Sequence, residues 1–254
     1  MPGFSIHDSS EPQGPEPEET MFSLEPTPKI ITFDCYGTLV QWREVLLREL
    51  GQILASQGRR DPNEASAILD TFSRFSASLA RERPHRLYKS ILRIGFRSAL
   101  MEHRLAPSED DVERLAAAPT AMGPHPEVPG VLRRLRERYK LAIFTNSDED
   151  LIVHAVERIG VPIDYVITAE KAQAYKPARQ IFEYGHRTMG VGKDATVHVA
   201  MSMTLDMQAC HELGIRGIWI NRRGEKGNPD WLPYEELPNL NRLPDLLLPP
   251  ASAK

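Results

Sequence analysis

Cysteine is scarce: Cys35 and Cys210 are the only two in 254 residues. That is too few for a disulfide framework, and they lack the paired spacing of a structural zinc site. Such usage predicts a reducing, cytoplasmic home. Long apolar runs are missing as well, none approaching the roughly 20 residues needed to cross a bilayer. The opening stretch, MPGFSIHDSSEPQGPEPEE, is acidic and proline-rich where a secretory signal is basic and then apolar. A membrane partner is not expected. Nor is there an excess of positive charge: Lys and Arg total 31 against 35 Asp and Glu, a net charge of −4 without a basic tract, which argues against nucleic acid. What is present, 41% hydrophobic and 26% charged residues, is the composition of an ordinary globular protein.

Proline collects at the ends. Six of the 21 prolines lie in residues 1–28 among Glu11, Glu16, Glu18, Glu19 and Glu25, a mixture that buries too little apolar surface to offset its ordering entropy. It reads as a mobile leader. Six more lie in 224–254, but interleaved with Trp231, Tyr234, Leu237, Leu240 and Leu243. These anchors predict an extended strap or short helices docked on the body or on a second subunit.

Between the ends, short β-rich apolar runs at 29–33 (KIITF), 141–145 (LAIFT), 165–168, 196–200 (TVHVA) and 217–220 (GIWI) read as strands buried on both faces. Segments of helix length separate the later ones, at 131–139, 150–159, 179–189 and 207–213, with apolar residues three to four apart. The alternation predicts a doubly wound α/β fold with a parallel sheet. One section breaks the rhythm: 43–118 has helical periodicity at 45–54, 64–79 and 87–105 and no strand. The organisation expected is therefore an α/β core of 29–42 and 119–223, with a helical cap, 43–118, inserted after the first strand.

Ligands of an open parallel sheet bind at the carboxyl ends of its strands, so polar residues just after each apolar run are the first candidates. They are Asp34, Tyr36 and Thr38 after the first run; Thr145 and Asn146 at the end of the second; Lys176 beyond the third; and Ser202 and Asp206 after the fourth. A carboxylate, a hydroxyl and amide pair, an ammonium and a second carboxylate suit nucleophilic catalysis by Asp: the carboxylate attacks an electrophile, an ester forms, a Lys holds the charge and water hydrolyses the ester.

The stretch DCYGT at Asp34–Thr38, the Thr145–Asn146 pair, Lys176 in AYKP and Asp206 match in order the four motifs of the haloacid dehalogenase superfamily, and the tyrosine-containing first motif resembles its 2-haloacid dehalogenase branch. The resemblance spans about 29–223. It implies a Rossmann-like core with a helical cap after the first motif, the place found independently above. It also implies roles: Asp34 as nucleophile, Thr38 orienting it, Lys176 pairing with it, Thr145 and Asn146 binding the substrate carboxylate or leaving group, Asp206 positioning water and Tyr36 lining the pocket. Ser202 joins the substrate-binding set.

Magnesium phosphatases of the superfamily carry a second Asp where this chain has Tyr36, and a phenol is a poor proton donor near neutral pH. They also carry an acidic residue where this chain has Met201, a thioether unsuited to a hard cation. Chemistry at carbon without a cofactor is therefore expected, most simply dehalogenation of a small 2-haloacid to a 2-hydroxy acid. The alternatives are hydrolytic ring opening of a small cyclic amino acid, a magnesium phosphatase with Mg2+ at Asp34 and Asp206, and a weakly active binding scaffold. Met201 and Met203 flank Ser202 where the dehalogenases carry Ser and Asn. For the arginine that those enzymes bring from the cap, Arg74, Arg81, Arg83 and Arg86 are candidates. His198, inside an apolar strand, and Cys35 read as core; 145–148 also reads as a cap for the following helix. The same resemblance implies a homodimer through the cap or the strap.

Overall fold

The computed structural model describes residues 22–248. Most of the segment assigned to a leader, 1–21, and the last residues of the strap, 249–254, lie outside them. Of the remainder of the leader, Phe22 and Leu24 pack against the core and Pro28 is buried.

Six parallel strands form one sheet: β1 Ile30–Phe33, β2 Lys140–Thr145, β3 Tyr165–Thr168, β4 Thr196–Ala200, β5 Gly217–Ile220 and β6 Tyr234–Leu237. Their spatial order is β3-β2-β1-β4-β5-β6. The direction of the winding reverses beside β1, between its neighbours β2 and β4, which makes the carboxyl end of β1 the natural ligand crevice. Strands β1 and β4 are buried along their whole length, as continuous apolar runs covered on both faces must be.

Five α-helices lie between β1 and β2, and the first four form the cap: α1 Trp42–Ser56, α2 Pro62–Arg81, α3 Tyr88–Glu102 and α4 Glu109–Ala117. Their boundaries follow from local chemistry. Asp61 accepts from the Asn63 amide with Pro62 in the first turn of α2, and Ser108 and Asp111 form a reciprocal capping box at the start of α4. The cap has its own centre, where the Phe72 and Phe96 rings stack with centroids 3.9 Å apart. The two chains linking cap and core run side by side: Gln41 N donates to Gly123 O at 2.9 Å and His125 N to Leu39 O at 2.9 Å. The remaining helices are α5 Val128–Arg136, α6 Glu149–Ile159, α7 Ala169–Ala172, α8 Arg179–Met189, α9 Gln208–Leu213 and α10 Leu243–Leu247.

The sheet has one strand more than the five apolar runs predict, because β6 comes from the segment read as a strap. Its sequence, YEEL, sits at the sheet edge, where one side is unpaired among the described residues and two glutamates are tolerated. Beyond it, Leu243 and Leu247 of α10 are buried and the Leu247 carbonyl accepts from the Tyr139 hydroxyl, so this segment completes the core rather than merely crossing it. Helix α9 is also shorter than 207–213 suggests, because Met203–Met207 forms a π-turn ahead of it. No helix among the described residues is long and apolar enough to cross a membrane.

Candidate active site

Asp34 follows β1 directly, and its amide donates to Val199 O of β4 at 3.0 Å. The chain then turns tightly. Gly37 has φ +91°, a conformation that favours glycine, and a Cβ there would also press on the Met201 side chain. The turn carries Thr38 back beside the carboxylate: its hydroxyl donates to Asp34 Oδ2 at 2.7 Å and accepts from the Met201 amide at 2.9 Å. Because the amide is the donor in the second bond, the hydroxyl proton is free for the first.

Lys176 completes the arrangement. Its Nζ donates to Asp34 Oδ1 at 2.8 Å and to Asp206 Oδ1 at 2.7 Å, and the lysine side chain is 1% exposed. Both Asp34 oxygens therefore accept, the pattern of an ionised carboxylate. Burial and the neighbouring Asp206 charge push the Asp34 carboxyl above its usual range against the pull of Lys176 and Thr38. The result is a more basic carboxylate than a free aspartate. Burial pushes Asp206 up too, but Lys176 and His198 outweigh it and hold that carboxyl below its usual range. Burial disfavours the Lys176 charge, yet the two carboxylates win and raise its pKa.

A cavity of about 760 Å3 between cap and core is lined by Asp34, Lys176, Asp206, Tyr36, Thr145, Asn146 and Ser202, so the candidate set converges on one space, with Thr38 bonded just behind it. Their contacts differ in kind. The Thr145 hydroxyl and Asp206 Oδ2 are buried without a hydrogen-bond partner among the described residues. Asn146 clamps the Lys176 backbone, accepting from its amide at 2.7 Å and donating to its carbonyl at 3.2 Å. Ser202 accepts from Leu205 N and stabilises the π-turn that carries Asp206. The Tyr36 phenol is pushed far up by burial, so it stays protonated.

Of the four cap arginines considered, Arg81 and Arg83 line the cavity, whereas Arg74 pairs with Glu102 and Arg86 with Glu82. Arg43, at the start of the cap, also lines it and was not among the candidates. Two further groups escape a sequence reading. Arg222 donates to the Thr38 carbonyl at 2.9 Å and pairs with Glu127 at 2.7 Å, bracing the turn that follows Asp34; its place two residues past β5 is the signal that would have found it. His198 is buried as expected of a core residue, but it is not a bystander: Nε2 lies 2.9 Å from Asp206 Oδ1 and Nδ1 2.8 Å from the Thr32 hydroxyl. Cys35 is fully buried, and burial pushes its thiol well up, leaving it a packing residue.

The helix-cap reading of 145–148 needs correction. Asp148 occupies the N-cap position of α6, but its carboxylate makes no cap bond there. It accepts instead from the Tyr88 and Lys89 amides at 2.7 and 2.9 Å, capping α3 across the cleft and latching the cap to the core.

Comparison with known proteins agrees with this geometry. Residues 28–214 match the family model for haloacid dehalogenase-like hydrolases. Haloacetate dehalogenase H-2 of Moraxella sp. (strain B) is 32% identical over 124 residues, 48% of this chain and 55% of that one, so the match spans about half of that relative. (S)-2-haloacid dehalogenase H-109 of Pseudomonas putida is 26% identical over 231 residues, 86% of this chain and 97% of the relative. The structure of L-2-haloacid dehalogenase from Xanthobacter autotrophicus with chloropropionic acid covalently bound superposes with a TM-score of 0.77 at 18% identity, covering 89% of this chain and all of the other (100%). With its parallel sheet, capped cleft and ordered motifs, the chain belongs to the haloacid dehalogenase-like hydrolases.

Proposed function

We propose that this hydrolase acts without a metal at the α-carbon of a small 2-substituted carboxylic acid, displacing halide and releasing the 2-hydroxy acid. The observation that carries the reading is Lys176 seated between Asp34 and Asp206, with Thr38 on the other Asp34 oxygen. An ammonium already fills the space between the two carboxylates that a shared Mg2+ would need. Met201 adds only a thioether, so the donor set does not fit that ion. The similarity to proteins named as dehalogenases points the same way.

Asp34 attacks C2 with one carboxylate oxygen, a C–O bond forms, and halide leaves with the electron pair of the C–X bond. Arginines at the cavity wall, Arg43, Arg81 and Arg83, together with Thr145 and the free N–H of Asn146, supply donors for the substrate carboxylate and the departing anion. Water then attacks the Asp34 acyl carbon and gives a proton to Asp206 Oδ2. The acyl C–O bond breaks, the alkoxide takes that proton, and the regenerated Asp34 carboxyl releases the second one.

The test is hydrolysis by the chelator-treated protein of several 2-haloacids, azetidine-2-carboxylate and an aryl phosphate, with Asp34→Asn as control. Halide release lost in the variant supports the reading. Turnover of the cyclic amine alone would change the leaving group; phosphate release restored by magnesium would replace the reading with a phosphatase, and ligand binding without any turnover with a scaffold.

A further inference from the structure

We propose that His198 is a positioning residue for the second half of the reaction: it orients Asp206 so that Oδ2 faces the water that hydrolyses the Asp34 ester. The inference rests on the ester-hydrolase reading above and adds a residue to it.

The hydrogen-bond pattern places a proton on the nitrogen that faces Asp206. Asp206 is a carboxylate and can only accept, so His198 Nε2 carries the proton in the 2.9 Å contact. Nδ1 lies 2.8 Å from the Thr32 hydroxyl, which also donates to Val197 O at 3.3 Å, so the far side of the ring is tied to the β1–β4 pair. Thr32 and His198 are register partners on β1 and β4, and Asp34 follows two residues after Thr32. Strand alternation therefore places the imidazole one layer beneath the nucleophile. The ring has little freedom: Phe144 and Phe182 approach it edge-on, with centroids 6.0 and 5.7 Å away.

Within the described residues, the donors to Asp206 are Lys176 and His198, and both address Oδ1. Oδ2 is buried without a partner, and Asp206 lines the cavity. The neighbouring loop side chains do not take this place: Met201 and Met203 carry no donor, and the Ser202 hydroxyl, which accepts from Leu205 N, makes no bond to Asp206 among the described residues. Two donors on one oxygen fix the carboxylate rotamer and leave the other oxygen as base. His198 never reaches the substrate; it acts through Asp206.

The ester-forming step uses Asp34 and Lys176; only the hydrolytic step uses Asp206 Oδ2. Full-length wild type, His198→Phe, His198→Gln and His198→Asn are mixed rapidly with a 2-bromo acid, following halide release and the mass of the Asp34 peptide. The phenylalanine variant is expected to release a burst of about one halide per enzyme at near wild-type rate, accumulate the ester, and turn over about a hundredfold more slowly. Glutamine, whose amide N–H stands where Nε2 does, restores turnover. Asparagine, which reaches only toward Thr32, does not. Equal slowing of burst and turnover, or rescue by asparagine and not glutamine, overturns the proposal and leaves a packing histidine. If the phenylalanine variant fails to fold, the glutamine and asparagine pair decides alone. No ester in the wild type instead defeats the function on which the proposal rests, with the His198 role falling alongside it.

Discussion

Lys176 Nζ donates to Asp34 Oδ1 at 2.8 Å with the lysine side chain almost wholly buried. A cation sealed between two carboxylates holds both as anions, and removing it leaves like charges facing each other out of reach of water. Lys176→Met is therefore expected to abolish halide release and to lower unfolding free energy by about 3 kcal/mol, read from urea denaturation. An unchanged activity would mean that Asp34 does not need this partner.

The acid limb of kcat/KM follows from the Asp34 carboxyl. In the proposed mechanism attack needs the anion, and burial and Asp206 raise this group above the 3.8 of a free side chain. Activity should then fall with decreasing pH at a midpoint above 3.8. A pH profile on 2-bromopropionate checks it; a midpoint below that value would show Lys176 and Thr38 outweighing burial.

Asp148 joins the core to the start of α3 through two amide bonds. Asp148→Ala should lose about 1–2 kcal/mol of stability, as cap removals do. Amide hydrogen exchange in the first turn of α3 should rise with it, while exchange in β1 should stay as in the parent. No change in either would mean the latch is not used in solution.

The cavity, about 760 Å3, greatly exceeds the volume of a haloacetate. With Trp42, Phe72, Tyr88 and Tyr175 on its walls, it has apolar surface for a longer substituent at C2. KM is expected to fall from 2-bromopropionate to 2-bromohexanoate, by up to about fourfold per buried methylene. A steady rise along the series would indicate that the cap closes over small acids only.

Legibility in the sequence followed physical locality. Asp34, Thr38, Lys176 and Asp206 could be read because each lies at or shortly beyond the end of an apolar run, and the sheet gathers such positions at one edge. The cap was readable from helical spacing without a strand. His198 was not, because its neighbours Val197 and Val199 make it look like core; its partner Thr32 is 166 residues away and met only through β1–β4 register. The glutamates of β6 hid an edge strand, and the target of Asp148 lies on another element altogether.

The most direct test of the central claim is a single turnover of a 2-bromo acid in oxygen-18 water with enzyme in excess, followed by mass spectrometry of product and peptide. Attack by Asp34 and hydrolysis at its acyl carbon predict label in the Asp34 peptide and an unlabelled 2-hydroxy acid. Label in the product hydroxyl, with an unlabelled peptide, would mean that water attacks the substrate directly and that Asp34 is not the nucleophile.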